Sequence, residues 1–171
     1  MSNELSNFFK VHEFNTKFGS VTNKTPQFEI FDKNPDLVKF RMSLIEEEVK
    51  ELQDGVKNKN LIEVVDALSD ILYVVYGMGS AIGVNLDMMF NNVHDSNMSK
   101  LCKNENDAIE TVEWYKKQYA LKKQPYDSPN YRLGIDGTYY VVYNESTGKI
   151  LKSIYYTEAH FDDLLENDQK L

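Results

Sequence analysis

Residues 61–77 read LIEVVDALSDILYVVYG. Leu61, Ile62, Val64, Val65, Leu68 and Ile71 surround three acids, Glu63, Asp66 and Asp70, spaced by three and four. At about 100° per residue the acids share a strip about 60° wide on an otherwise apolar helix. A helix apolar on nearly every side is expected to be buried. Its carboxylates then lie in the interior or in a cleft. No lysine or arginine stands between Asn60 and Gly83 to pair with them. Whatever this chain folds into must accommodate that strip.

A second acidic segment precedes it. In LIEEEVKEL, residues 44–52, apolar positions thread through four glutamates. With Leu44 at zero, Ile45, Val49 and Leu52 fall at about 100°, 140° and 80° on the wheel. Glu48, at about 40°, lies inside that arc, and Glu51, at about 340°, on its border. Glu47 sits at the edge near 300°, and Glu46 points to solvent near 200°. A lone E-x-x-E pair is most often a solvated face. Two facing strips are different, because unpaired buried carboxylates repel one another and lose hydration. Divalent cations offset both costs. Hard oxygen ligands suit Mg²⁺ or Mn²⁺, and Mg²⁺ also takes phosphate oxygens of a substrate.

The rest of the chain sets the frame. Phe8, Val11, Phe14 and Phe18 predict an amphipathic helix over residues 4–18, followed by a loop. Asn34 and Pro35 predict a capped helix start, with Gly55 ending that helix after residue 54. Further helices are expected over 60–82, stopped by Gly83, over 86–100, capped by Asn85, and over 105–121, with Ile109, Val112, Trp114 and Tyr115 as the apolar side. Short links favour an antiparallel helical bundle. After the turn formers QPYDSPNYRLG, the segment TYYVVYNESTGKILKSIYY, broken at NESTG, reads as a β-hairpin. A short closing helix capped by Thr157 follows. The expected division is a helical domain, 1–122, and an appendage, 123–171.

The formal net charge of −8 speaks against a nucleic-acid polymer as partner, since phosphate contacts need a basic surface. Cys102 is the single cysteine, which rules out an internal disulfide or a multi-cysteine zinc site. The start, MSNELSNFFKVHEF, has no apolar run like a signal peptide. The apolar stretch ILYVVYGMGSAIGV holds three glycines and reads as a buried helix end, not a membrane span. A cytoplasmic protein with no membrane partner is expected.

E-x-x-E (Glu48, Glu51) on one long helix, E-x-x-D (Glu63, Asp66) on the next, and SNMSK at 96–100 together resemble the all-α nucleoside triphosphate pyrophosphohydrolase superfamily. That superfamily includes MazG proteins, dimeric dUTPases and phosphoribosyl-ATP pyrophosphohydrolases. LIEEEVKEL, DALSDILYVVYG and VHDSNMSKL are similar to its MazG-like, phosphoribosyl-ATP pyrophosphohydrolase-like branch, over residues 8–102. STGKILKSIYY resembles a short tail of that branch. The resemblance implies an antiparallel bundle of MazG-like type and Mg²⁺-dependent hydrolysis between the α and β phosphates of a nucleoside triphosphate. It places metal ions on Glu48, Glu51, Glu63 and Asp66. Asp70 becomes a further ligand or a group behind the ligands on the substrate side. Glu47, at the edge of the strip, is the candidate to orient or deprotonate the attacking water. Asn97 and Lys100 would meet a sugar or base edge and a phosphate oxygen. A second register, laying the E-E-L-G-D of MazG proper over Asp66–Asp70, leaves Ala67 where a glutamate is needed. Homodimers or dimers of dimers are implied as well.

Other residues have plainer readings. Asn97 and Lys100 also suit a solvated helix end that complements the helix dipole. Arg41, one heptad before Glu48, meets either a phosphate or, more simply, an acid. His94 reads as structural or exposed, Trp114 and the tyrosines as core and interface, and Cys102 as an inert small hydrophobe. Two other functions compete: hydrolysis of phosphoribosyl-ATP by the same metal chemistry, and a non-catalytic helical module whose acids bind a basic partner.

Overall fold

The computed structural model describes residues 5–166. The described chain is mostly helical, with one small antiparallel sheet near its C-terminal end. The described residues form two compact units, one of residues 5–90 and 161–166, the other of residues 91–160. Among the described residues no helix is long and apolar enough to cross a membrane.

The first unit is built on a helical hairpin, α3 (Pro35–Lys57) and α4 (Leu61–Ile82). Asn60 caps α4, its side-chain oxygen accepting from the backbone N–H of Ile62 and Glu63. Gly83 ends α4 with φ +74°, and a Cβ there would lie 1.9 Å from the carbonyl oxygen of Thr25, so this position admits only glycine. The stop at Gly83 matches the sequence reading; the Asn60 cap is an addition to it. Gly55 does not end α3. It lies inside the helix, buried, where a Cβ would come within 3.1 Å of the Val64 backbone nitrogen. The close approach of two helices keeps that glycine, and Lys59, at φ 55°, makes the turn instead. Nor does Asn34 cap α3 through its side chain; Pro35 alone marks the start.

α1 (Asn7–Lys17) packs along the second half of α4. Phe14 meets Tyr73 edge-on at 5.6 Å, and His12 Nδ1 lies 2.9 Å from Ser80 Oγ. Residue 4, the expected first residue of this helix, lies outside the described residues. Asp87, in the first turn of α5 (Leu86–Met98), accepts from the backbone N–H of Phe8 and from the Tyr76 hydroxyl, 2.8 Å away. Asn85 caps α5 as expected, accepting from the Asp87 N–H. The stretch read as loop before α3 contains a single helical turn, α2 (Ile30–Lys33).

In the second unit, α6 (Glu105–Ala120) packs against a hairpin of β1 (Pro129–Leu133) and β2 (Tyr140–Asn144). Ala108, Val112 and Tyr115 of α6 join Cys102, Val142 and Leu151 in its core. Ile109 and Trp114, expected on the apolar side, are exposed. The hairpin is real but uses different strands from those expected. The pairing partner of residues 140–144 is 129–133, while 149–156 contributes one bridge, Tyr143 to Ile150. The pull to the upstream strand comes from Asp127, Ser128 and Asn144. The Asn144 amide donates to Asp127, and its oxygen accepts from the Ser128 N–H. Hydroxyl and amide donors on the Asp127 carboxylate hold its pKa at about 2. Thr157 caps no helix; its carbonyl accepts from Ser96 and Ser99, and α7 starts later, at Asp162.

Candidate active site

The α3–α4 seam carries the two acidic strips. Besides the Gly55–Val64 approach, a Cβ at Gly77 would stand 3.0 Å from Arg41 Nη1. Two such contacts near opposite ends fix an antiparallel register. In that register Glu48 is level with Asp70 and Ile71, and Glu51 with Ala67 and Leu68, within a turn of Asp66. Ala67 is 2% exposed, so the seam is tightly packed beneath the acids.

Electrostatics support the same pairing. The Glu48 carboxyl is pushed up, first by desolvation and then by the negative charges of Glu51, Asp70, Glu47 and Asp66. Four acids from two helices thus act on one half-buried group. Glu63 is not among them. It sits one turn beyond Asp66, beside Gly55. Glu47, Glu51, Glu63, Asp66 and Asp70 are exposed, as is Glu46. None of the six glutamates and aspartates in the two strips, nor Glu46, makes an ion pair among the described residues.

No set of three or more acids, histidines or cysteines among the described residues is drawn together closely enough to hold a metal ion. The donor set nonetheless suits a hard cation. It is all carboxylate oxygen, it carries unneutralised charge, and its members line one seam, all but the half-buried Glu48 on exposed side chains that can change rotamer.

Asn97 and Lys100 belong to the second unit, and the acids to the first. Lys100 Nζ donates to Asn97 Oδ1 at 2.6 Å, so the two work as a pair one turn apart. His94 is exposed and Cys102 is buried near Thr111.

Two sequence readings change. Arg41 forms no ion pair among the described residues; it is 5% exposed, and burial lowers its pKa. The seam offers it no acid, because the nearest carboxylates of the strip stand two turns away. α4 is also not buried all round within one chain. Leu61 is 74% exposed and Ile62 81%, with Val65, Leu68 and Leu72 exposed too. The hairpin and α1 cover two sides of α4 and leave the third open. Asn15 is a polar residue within the apolar stripe of α1, at the position i+4 from Val11, and that break in the stripe is its only signal in the sequence. It is 3% exposed.

An uncharacterized protein of Acanthamoeba polyphaga mimivirus is 34% identical, over 96% of this chain and 98% of its own length. Residues 11–97 match the phosphoribosyl-ATP pyrophosphohydrolase family. The match runs from α1 to the end of α5 and includes both acidic strips. The chain therefore belongs to the phosphoribosyl-ATP pyrophosphohydrolase family, a group of MazG-like enzymes that hydrolyse phosphoanhydrides.

Proposed function

We propose that this protein is a metal-dependent nucleoside triphosphate pyrophosphohydrolase that releases pyrophosphate and a nucleoside monophosphate. The observation that carries the reading is the convergence of charge on Glu48 from both helices of the seam. Glu48, Glu51, Glu63 and Asp66 are the proposed ligands, following the family resemblance, and Asp70, whose charge also bears on Glu48, is a further one. A divalent cation held there would neutralise phosphate charge and lower the pKa of a bound water. Glu47, at the margin and exposed, is the proposed base for the proton of the water that attacks the α phosphorus. The bond from that phosphorus to the bridging oxygen breaks, and pyrophosphate leaves. Lys100 and Asn97 are proposed as contacts to phosphate and sugar, following the family resemblance.

The active unit is proposed to be a homodimer or a dimer of dimers. Leu61, Val65, Leu68 and Leu72 recur at four, three and four residues, which puts them within about 60° of one another on the wheel. All four are exposed in a single chain. Such a stripe suits an isologous contact with a second copy.

A second reading, hydrolysis of phosphoribosyl-ATP, is favoured by the description of the matched family. The experiment is a panel of standard and damaged nucleoside triphosphates, with phosphoribosyl-ATP, assayed for pyrophosphate with Mg²⁺, with Mn²⁺ and with chelator. Metal-dependent pyrophosphate from a triphosphate supports the first reading. Turnover of phosphoribosyl-ATP alone selects the second, and orthophosphate as first product refutes both.

A further inference from the structure

Two serines of SNMSK, Ser96 and Ser99, have no part in the chemistry proposed above, and both hold the chain far downstream. Ser99 Oγ accepts from the Thr157 N–H at 2.9 Å and donates to the Ser96 carbonyl at 2.7 Å. Ser96 Oγ, buried, donates to the Thr157 carbonyl at 2.9 Å and lies 3.0 Å from the Tyr156 hydroxyl. Both backbone polar groups of Thr157 are thus engaged by hydroxyls at the end of α5. One turn earlier, Asn92 donates to the His160 carbonyl at 2.8 Å. Asn92, Ser96 and Ser99 are spaced by four and three, so residues 156–160 lie as a strap along one side of α5. The strap is fixed from behind as well. The Ile154 N–H donates to Thr111 of α6, and Leu151 and Ser153 are buried.

A second anchor follows at once. Cys102 and Tyr140 of β2 exchange backbone N–H and carbonyl bonds, both 2.9 Å. Only Lys100 and Leu101 stand between Ser99 and Cys102. The Lys100 backbone is therefore held on either side by segments far along the chain. These anchors are not needed to close the helix. The carbonyls of Asp95, Asn97 and Met98 accept from the N–H groups of Ser99, Lys100 and Leu101, and that of Ser96 from Ser99 Oγ. The Lys100 ammonium is aimed too, by its bond to Asn97 Oδ1. A free lysine has a flexible four-carbon stem, and ordering it on a phosphate costs rotamer freedom. Lys100 has lost part of that freedom before a substrate arrives.

We propose that the part of the second unit beyond α6 is a positioning element for substrate binding: Thr157 acting through Ser99, and Tyr140 through Cys102, fix Lys100 in the place from which it meets a substrate phosphate. The inference rests on the pyrophosphohydrolase reading, with Lys100 as a phosphate contact, and its test separates the two.

The test is calorimetric binding, with Mg²⁺, of the α,β-imido analogues of dGTP, dTTP, dATP and dCTP to the full chain, read on the analogue that the wild type binds tightest. Ser99→Ala is expected to weaken binding about 10-fold, the worth of one hydrogen bond. Ser99→Thr keeps the hydroxyl and should bind as the wild type does. In a Lys100→Ala background Ser99→Ala should weaken binding no further, because the residue through which it acts is gone. Should Ser99→Ala fail to fold, Thr157→Pro removes the N–H donor from the other side and leaves α5 intact. It should show the same loss and the same dependence on Lys100. Equal weakening with and without Lys100 would show a bond that serves stability alone and overturn the inference. Unchanged binding in Ser99→Ala and Thr157→Pro, or in Lys100→Ala itself, would overturn it too. Each of these results leaves the enzyme reading intact. Binding of no analogue by the wild type refutes the reading and the inference together.

Discussion

Asp70 on α4 bears on Glu48 of α3 across the seam of the two longest helices, where desolvation first, then the charges of Glu51 and Asp70, push the Glu48 carboxyl up. The two residues are level in the antiparallel register. Without a cation the seam therefore stores repulsion. Glu48 binds its proton more tightly in the folded chain than in the unfolded one. Its effect on stability is absent below the unfolded pKa. As pH rises through the raised folded value, the folded state loses stability relative to the unfolded state. Glu48→Gln removes that titration. In chelator the variant should melt above the wild type at neutral pH, and the gap should close at acid pH. Melting temperatures across pH 4 to 8, roughly the carboxylate range and above, measure this. Adding Mg²⁺ should reverse the order, because the wild type then gains a ligand that the variant holds less well.

Glu51 and Glu46 stand five residues apart and are both exposed, yet their surroundings differ. Glu51 acts on Glu48; Glu46 does not. Glu51→Gln should reduce pyrophosphate release by more than the roughly 10- to 100-fold that loss of an outer partner of a metal ligand costs. Glu46→Gln should leave turnover within about twofold, as expected of a surface change far from the seam. Steady-state rates at saturating Mg²⁺ decide it, and equal rates for the two variants would remove Glu51 from the ligand set.

Period-based signals were legible in the sequence. The acid strips, the Asn85 cap, the Gly83 stop and the extent of α4 follow from residues within one or two turns of each other. What the sequence hid depends on partners far along the chain. Gly55 reads as a helix end until Val64 is known to press against it. The strand partner of 140–144 depends on the Asp127–Asn144 network, which no local propensity reveals. Motif spacing favours Glu63 with Asp66 and leaves Asp70 as a further ligand; the weight of Asp70 on Glu48 depends on how two helices meet, which spacing along one helix does not carry. Arg41 looked like half of an ion pair because arginines among glutamates usually are, and its isolation is visible only in three dimensions.

Gly55 offers a direct probe of that register. A larger side chain there must push Val64 and Glu63 away, since a Cβ alone would stand 3.1 and 3.2 Å from their atoms. Gly55→Leu should destabilise the protein by about 1–3 kcal/mol, the usual range for overpacking. Because the wedge opens at the Glu63 end of the seam, affinity for Mg²⁺ should fall as well. Urea denaturation and metal titration followed by melting temperature read the two effects. A variant as stable as the wild type and with unchanged metal affinity would show that the helices are not held as close as described.

The open stripe of α4 makes the last prediction. Leu61, Val65, Leu68 and Leu72 face away from the α3 seam, and a single chain leaves them in water. Two copies packed through this stripe would remove it from solvent on both chains by one symmetric contact. Light scattering at assay concentration should therefore give a dimer or tetramer. Val65→Asp with Leu72→Asp places charge in that contact and should yield monomers with an unchanged far-ultraviolet circular dichroism spectrum. Mixing then asks whether sites are shared. Glu51→Gln chains co-refolded with Lys100→Ala chains form mixed dimers in half of all pairings. If Lys100 serves the partner's acids, each mixed dimer regains one intact site, and activity returns to about one quarter of wild type. If Lys100 serves its own chain, no activity returns. A wild-type protein that is monomeric and fully active at assay concentration would refute the assembly.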